Sequence, residues 1–169
     1  MKNSRVTIGL TNPKSPSNVG AVMRAAGCYQ ADEVLYTGQR YEKAYKFQTD
    51  TKNVSSKIPL KGVDSFLEGL PDETRIVCVD FAEGATPLPE FKHPDNAIYI
   101  FGPEDGSISQ DVADRADYVV YVPTVGCMNL AASVNVLLYD RLAKSSTIDT
   151  SEALIKSSRD NRNHLIVKK

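Results

Sequence analysis

The feature that most constrains the fold is a set of short apolar runs in which apolar and polar residues do not alternate. The clearest runs are residues 75–81 (RIVCVDF), 97–101 (AIYIF) and 117–122 (DYVVYV). A strand covered on both faces has a continuous apolar sequence, whereas a strand with one solvated face alternates. Segments with helical spacing separate these runs, which is typical of a parallel sheet. The sequence therefore predicts an α/β fold with one parallel-type sheet sandwiched by helices.

The same periodicity predicts the order of the elements. Further strands are expected at residues 5–11, 33–37 and 58–63. Helices are expected at residues 18–30, 64–70, 110–116, 130–144 and 150–158. Ser17, Ser109 and Asn129 stand where the N-caps of three of these helices belong. Residues 38–57 are polar with scattered aromatic residues, and we expect a long functional connection there with room for a short helix.

Size and composition narrow the class of protein. The 169 residues suit one domain, and no run of about 18 apolar residues predicts a membrane span. The first residues lead into a strand without the apolar segment of a secretory signal. Cys28, Cys78 and Cys127 are far apart and odd in number, which argues against a disulfide framework or a zinc cluster. With only two histidines present, we expect a cytoplasmic protein without a metal site and without a membrane partner.

The charge distribution is nearly balanced. A formal net charge of −1 does not indicate strong non-specific binding of nucleic acid. Basic residues do gather in the tail, at residues 156–162 and 168–169. Two interpretations of the tail, residues 145–169, remain open: a contact with RNA or with a second copy of the chain, and a solvated helix face with a frayed end.

Three polar loops each follow a predicted strand, at residues 12–18, 102–106 and 123–129. Ligands of open parallel sheets collect beyond the carboxyl ends of the strands, so these loops predict one composite site. The third loop breaks at Pro123 and Gly126 before a helical pattern resumes. A strand that turns sharply into a helix presents backbone N–H and C=O groups to a ligand. We therefore expect this turn to hold a cofactor that the two earlier loops also meet.

Several residues in or just after these loops have more than one functional or structural interpretation. Gly20 and Arg24 share a helix face, and a glycine there destabilises the helix by about 1 kcal/mol relative to alanine. Either a backbone or substrate approaches Gly20 while Arg24 binds phosphate, or the pair is a packing glycine and a surface arginine. Glu104 contacts a substrate, holds Arg24 or belongs to a solvated acidic turn. Cys127 lacks a neighbouring histidine, which favours a packing residue over a nucleophile. Asn129 can cap a helix and also bind.

The sequence lacks the glycine fingerprints of dinucleotide and P-loop folds and the serine elbow of hydrolases. Instead, three blocks resemble, in order and spacing, the motifs of the SpoU/TrmH branch of the SPOUT methyltransferases. Asn18, Gly20 and Arg24 match the first motif, N-x-G-x-x-x-R, and two alanines follow them. Gly102, Glu104 and Gly106 match the second, G-x-E-x-x-G, with one residue fewer before the last glycine. Pro123, Met128 and Asn129 match the third, a proline-containing loop followed by S-L/M-N.

The resemblance covers residues 6–143 and departs from the family pattern at Cys127, where serine is usual. It implies a deep trefoil knot in the C-terminal part of the chain. It also implies a homodimer with its sites at the interface. S-adenosylmethionine is the implied cofactor and S-adenosylhomocysteine the product. The implied reaction is methyl transfer to a ribose 2′-hydroxyl of tRNA or rRNA. On this basis residues 1–169 form a single minimal SPOUT methyltransferase domain.

The resemblance also implies roles for named residues. The cofactor pocket is expected to be lined by Val79, Gly102, Val122, Pro123, Cys127 and Met128. Arg24 is the expected catalytic arginine, which binds the phosphate beside the reacting hydroxyl. Asn18, Glu104 and Asn129 are expected to hold Arg24 and the ribose. Two alternatives remain: an RNA-binding protein on the same fold that has lost catalysis, and an unrelated α/β nucleotide-binding enzyme.

Overall fold

The computed structural model of the protein describes residues 4–46 and 57–168. Its strands are β1 (Val6–Leu10), β2 (Glu33–Tyr36), β3 (Leu60–Gly62), β4 (Arg75–Val79), β5 (Thr86–Pro87), β6 (Ala97–Phe101) and β7 (Tyr118–Tyr121). They form one seven-stranded sheet in the order β3-β2-β1-β6-β4-β7-β5. Every pairing in the sheet is parallel. The predicted α/β class with a parallel sheet is confirmed.

Helices cover both faces of this sheet. They are α1 (Pro16–Cys28), α2 (Arg40–Lys46), α3 (Gln110–Arg115), α4 (Leu130–Ala143) and α5 (Glu152–Ser158). A short 3-10 turn, Leu88–Glu90, follows β5. All five residues of β1 and all five of β6 are buried. Burial on both faces is the physical reason why these strands do not alternate.

Successive residues of β6 supply two separate apolar clusters. Tyr99 and Phe101 belong to the cluster that includes the buried side chains of α1 and α4. Ile98 and Ile100 belong to the other cluster, against which Val112 of α3 packs. Because side chains along a strand alternate between faces, the two clusters are the two sides of the sheet. Since α1 and α4 also contact each other, they form one helical layer above the central strands.

The first helix begins earlier than predicted. Ser15 is its N-cap and accepts a hydrogen bond from the Asn18 amide, so the prediction of Ser17 as the cap was wrong. Pro16 occupies the first helical position, where its missing N–H costs nothing and its φ suits the helix. Ser109 and Asn129 do cap α3 and α4, as predicted.

The predicted helix at residues 64–70 is absent from this described part of the chain, where bends and turns stand instead. Phe66 is buried on the sheet, and its ring lies 3.3 Å from where a Cβ on Gly9 would be. Gly69 adopts a φ of +71°. Packing of one aromatic side chain against a bare strand position, with a left-handed glycine nearby, overrides the weak helical spacing.

The remaining boundaries differ from the prediction by a few residues, as is usual for element ends. The connection expected at residues 38–57 contains α2, and the rest of it falls largely outside the described residues. The expected last helix is present as α5, which has no buried residue. None of the helices in residues 4–46 and 57–168 is both long and apolar enough to cross a membrane.

A buried polar cluster, here called the His93 cluster, joins the C-terminal half of α4 to the segment before β6. His93 lies between Tyr99 and Asp140, with both hydrogen bonds 2.7 Å long. Arg141 donates to the Tyr99 hydroxyl at 2.9 Å and to the Pro94 carbonyl at 2.6 Å. Lys144 pairs with Asp140 at 2.8 Å and donates to the carbonyls of Leu88 and Phe91. These contacts satisfy the polar groups of the cluster within the fold.

Candidate functional site

A pocket of about 300 Å³ lies at the carboxyl edge of the sheet, where the neighbouring strands β6, β4 and β7 end. The residues directly after these strands, Gly102, Asp80 and Val122, all contribute to its wall. Asn18, near the start of α1, and Ser133, near the start of α4, complete the wall of the pocket. The predicted meeting of the three polar loops is therefore what the structure shows.

Glu104 joins the second loop to the first. Its carboxylate accepts hydrogen bonds from the backbone amides of Lys14 and Ser15, at 3.0 and 3.2 Å, and from the Asn18 side chain at 3.3 Å. Partial burial by itself raises the pKa of Glu104, but hydrogen bonds from its own amide and these three groups outweigh it. The pKa therefore lies below its ordinary value, and the side chain is ionised at neutral pH.

Asn18 carries the connection on to the third loop. Its side-chain oxygen accepts a hydrogen bond of 3.2 Å from the Asn129 amide group. Asn129 in turn caps α4, since its side-chain oxygen accepts from the amides of Ala131 and Ala132. One chain of hydrogen bonds thus runs from Glu104 through both asparagines to the N-terminus of α4. This chain fixes the relative positions of the three loops.

Arg40 reinforces the same arrangement from the start of α2. Its guanidinium binds both oxygens of Asp105, at 2.8 and 2.9 Å, and donates to the Asn12 carbonyl at 2.7 Å. The hydrogen bond from Arg40 lowers the pKa of Asp105. Asn12 has a φ of 40°, and a Cβ on Gly38 would collide with its side chain. Glycine at position 38 is therefore required for this close packing of the first loop.

The third loop is a tight turn with exposed backbone. The Thr124 amide donates to the Val122 carbonyl at 2.8 Å, and the Thr124 hydroxyl donates to the Gly126 carbonyl at 3.0 Å. Gly126 has a φ of +89°, which a residue with a side chain rarely adopts. Cys127 follows it and is exposed towards the pocket. The turn therefore presents backbone groups and one thiol to any ligand.

Most of the predicted site residues line this one pocket. Those that do are Asn18, Val79, Gly102, Glu104, Val122, Cys127, Met128 and Asn129. Pro123 instead faces an adjoining apolar groove together with Tyr139. Arg24 lies on the exposed side of α1, outside the pocket wall, and makes no hydrogen bond or ion pair with another described residue. Glu104 therefore does not hold Arg24 within the chain.

Pro103, Gly106 and Thr124 also line the pocket, and they lie within the loops that were predicted to meet there. Sequence reasoning missed the wall residues outside these loops: Asp80, Phe81, Phe101, Leu130 and Ser133. A signal for Asp80 was present in the sequence, because Asp80 is a polar residue directly after a buried strand. The three predicted loops follow strands in the same way. The others are apolar, small or hydroxyl-bearing residues whose position depends on the tertiary fold.

Comparison with known proteins agrees with this geometry. Residues 5–139 match the SpoU rRNA Methylase family, and the chain belongs to that family. The chain is 23% identical over 158 residues to the tRNA (cytidine-2'-O-)-methyltransferase TrmJ of Methanocaldococcus jannaschii, a match covering 82% of this chain and 68% of that protein. The predicted family is thereby confirmed.

Solved structures show the same fold at low sequence identity. The SpoU methyltransferase AviRb of Streptomyces viridochromogenes, solved with AdoMet, superposes with a TM-score of 0.65 and 20% identity over 83% of this chain. The AdoMet-bound rRNA methyltransferase of Sinorhizobium meliloti superposes with a TM-score of 0.70 and 16% identity over 84% of this chain. The matched region spans 58% and 57% of those two chains.

Proposed function

We propose that this protein transfers a methyl group from S-adenosylmethionine to a ribose 2′-hydroxyl of RNA. The observation that carries the proposal is the single pocket built from all three SpoU motif loops. Family membership supports the reaction type. The relative from Methanocaldococcus jannaschii is a tRNA (cytidine-2'-O-)-methyltransferase, which supports tRNA as the first substrate class to test, followed by rRNA.

The residues of the pocket fit this cofactor. Its volume of about 300 Å³ lies at the lower end of small-molecule sites. Phe101, Val122 and Leu130 supply an apolar wall suited to an aromatic base. A Cβ on Gly102 would come within 3.3 Å of Asp80 Oδ2 and of the segment at Ser107 and Ile108, so glycine keeps the second loop packed closely beside Asp80. AdoMet also occupies two proteins of the same fold, which supports the choice.

The cofactor supplies an activated methyl group on a sulfonium, and this chain must orient the accepting hydroxyl. We propose that Asn18 and Asn129 position the ribose, because their side chains meet at the mouth of the pocket. Glu104 holds Asn18 and the first loop in place. Arg24 binds the phosphate next to the reacting ribose. Arginine is a poor base at its ordinary pKa, so its role is positioning the phosphate rather than removing the proton.

The position of Arg24 is the basis for proposing a homodimer. Because Arg24 is exposed on α1 and lies outside its own pocket wall, we propose that it serves the pocket of a second copy. A Cβ on Gly20, one turn earlier, meets nothing within 4 Å, so another chain can approach closely there. On α4, Val136 and Tyr139 are 37% and 60% exposed and offer further apolar surface to a second copy. A face of small and apolar side chains suits helix packing between copies.

We further propose that the C-terminal part of the chain forms the trefoil knot of the SPOUT fold. The support is the path of α4, which starts beside Asn18 at the pocket and ends against the Leu88–Glu90 segment through Lys144. The role of the tail beyond α4, as a contact with RNA or with a second copy, stays a prediction. So does the assignment of residues 1–169 to a single minimal domain.

The decisive experiment pairs cofactor titration with a methyl-transfer assay on total tRNA and rRNA from a strain that lacks the protein. Arg24→Ala should abolish transfer yet leave the affinity for S-adenosylmethionine nearly unchanged, because a cationic cofactor is not anchored by arginine. Arg24→Lys keeps the charge without the planar fork and should recover little activity. Full activity of Arg24→Ala would contradict the proposed centre. Cofactor and RNA binding by a wild-type protein that transfers no methyl group would favour the degenerate RNA-binding protein.

Mixed dimers test the arrangement directly. If Arg24 acts in the partner's pocket, mixing Arg24→Ala with Glu104→Ala restores one complete site in each mixed dimer, up to about a quarter of all sites for random pairing of a twofold dimer. If Arg24 acts in its own pocket, the mixture stays inactive. A monomer by light scattering that is still active would also refute the dimer.

A further inference from the structure

The charged side chains on the pocket wall are all acidic. Asp80 and Glu104 are its acidic residues, and no lysine, arginine or histidine of the described chain belongs to its lining. A pocket with carboxylates and no cation favours a ligand that carries positive charge. The two carboxylates differ, however, in how far the protein already uses them.

Glu104 is occupied by the fold. Its oxygens face the amides of Lys14 and Ser15 and the side chain of Asn18, which together consume most of its accepting capacity. Its negative charge is stabilised by these donors and serves to hold the first loop. A ligand gains little from a carboxylate whose oxygens are already engaged in this way.

Asp80 keeps unused capacity. Its Oδ1 accepts from the Phe81 amide at 2.8 Å and its Oδ2 accepts from the Ile108 amide at 3.0 Å. No described lysine, arginine or histidine forms an ion pair with it. Each carboxylate oxygen can accept a second interaction, so the charge of Asp80 remains available to a ligand.

The fold also holds Asp80 firmly. Its own amide donates to the Val120 carbonyl of β7 at 3.0 Å, directly after the end of β4. Its Oδ2 lies 3.3 Å from where a Cβ on Gly102 would stand, so the carboxylate rests against bare backbone of the second loop. Two amide donors and this contact fix its orientation without neutralising it, which makes it a pre-organised negative charge.

We propose that Asp80 is the counter-charge for the sulfonium of S-adenosylmethionine and makes this pocket prefer the cationic cofactor to its neutral thioether product. The inference rests on the proposed function. On transfer, the bond from sulfur to the methyl carbon breaks, a bond from the ribose oxygen to that carbon forms, and the hydroxyl proton leaves to solvent. Sulfur thereby loses its positive charge. The attraction to Asp80 disappears at the same step, which favours release of the product.

The test measures the affinities of S-adenosylmethionine and S-adenosylhomocysteine by calorimetric titration, because the two ligands differ only by the methyl group and its charge. Asp80→Asn should weaken binding of S-adenosylmethionine about tenfold and leave S-adenosylhomocysteine within about threefold, the size expected for one partly solvated charge pair. Asp80→Glu keeps the charge and should restore part of the preference. Raising the ionic strength should reduce the preference in the wild type more than in Asp80→Asn.

A matched control is Asp111→Asn, which removes one exposed carboxylate of α3 that does not belong to the pocket wall. It should leave the ratio of the two affinities unchanged. Equal losses for both ligands in Asp80→Asn, or no loss for either, would overturn the inference while leaving the cofactor assignment intact. Absence of binding of both ligands to the folded wild type would instead overturn the proposed function.

Discussion

The two ends of α4 are held by polar networks of opposite kinds. At its N-terminus, Asn129 connects through Asn18 to Glu104, and these side chains border an open pocket. Towards its C-terminus, the His93 cluster is closed, and the His93 side chain is only 5% exposed. Both networks fasten the same helix to the sheet, but only the first borders the pocket that the three loops build.

The difference teaches how to separate a site from a structural clamp. In the His93 cluster, burial raises the pKa of Tyr99 to about 12. The Tyr99 hydroxyl forms hydrogen bonds with both His93 and Arg141. A saturated buried network contributes rigidity and has nothing left to offer a substrate. In the network at the pocket, the side-chain amide groups of Asn18 and Asn129 each keep one N–H that can still donate to a ligand. Mutations at the two ends should therefore affect different observables.

The largest effect is expected at Glu104. Glu104→Ala removes the acceptor of three donors in the first loop, and we expect methyl transfer to fall about 100-fold, equivalent to about 2.7 kcal/mol of transition-state stabilisation. Thermal stability should change little, because these groups can turn to water. The measurement is initial-rate kinetics with tRNA, and Glu83→Ala, an exposed glutamate elsewhere, is the control. Activity within threefold of the wild type would show that the network is not needed.

The opposite pattern is expected at Asp140. Asp140→Ala takes the partner from His93 and Lys144, and we expect a loss of about 2 kcal/mol in the free energy of unfolding, because two polar groups of the cluster lose their acceptor. For a domain of this size this corresponds to a Tm lower by about 4–8 °C. Urea unfolding measures the loss, with Asp111→Ala as the exposed control. Unchanged stability together with lost methyl transfer would contradict the structural role assigned to the His93 cluster.

The smallest effect concerns pH. Burial lowers the pKa of His93 below its ordinary value of 6.5, although the hydrogen bond to Asp140 opposes the shift. Below that ordinary value the unfolded chain binds a proton that the folded chain resists, so the free energy of unfolding should fall as the pH decreases from 7. His93→Gln should flatten this dependence between pH 7 and the acid range, whereas His164→Gln, at an exposed position, should not. Identical slopes for the two variants would contradict the assignment.

Much of the pocket could be predicted because its residues follow strands whose apolar sequence is unambiguous. The buried runs at β4, β6 and β7 set the sheet edge, and loops after parallel strands must meet there. Asp80 escaped because one polar residue after a strand has no motif around it. Ser15 rather than Ser17 caps α1 because Pro16 prefers the first helical position, which leaves the cap to the residue before it.

Other features had no local signal. Phe66 replaces a predicted helix by packing on Gly9, a contact between segments far apart in the chain. The His93 cluster joins His93 to Asp140, and neither residue shows in its own neighbourhood that it has a partner. Tertiary contacts decide both features, and sequence periodicity reports only local preferences.

The strand order has a consequence for biosynthesis. Val6 of β1 pairs with Ala97 of β6, so the central pair of strands cannot form before the segment 97–101 has left the ribosome. Parallel pairing between such distant segments makes folding slow and leaves apolar strands exposed meanwhile. The pocket wall is complete only after Ser133, its last residue along the chain, has been synthesised. A nascent chain released before α4 should therefore bind no cofactor, and cofactor binding reports the completion of folding rather than its onset.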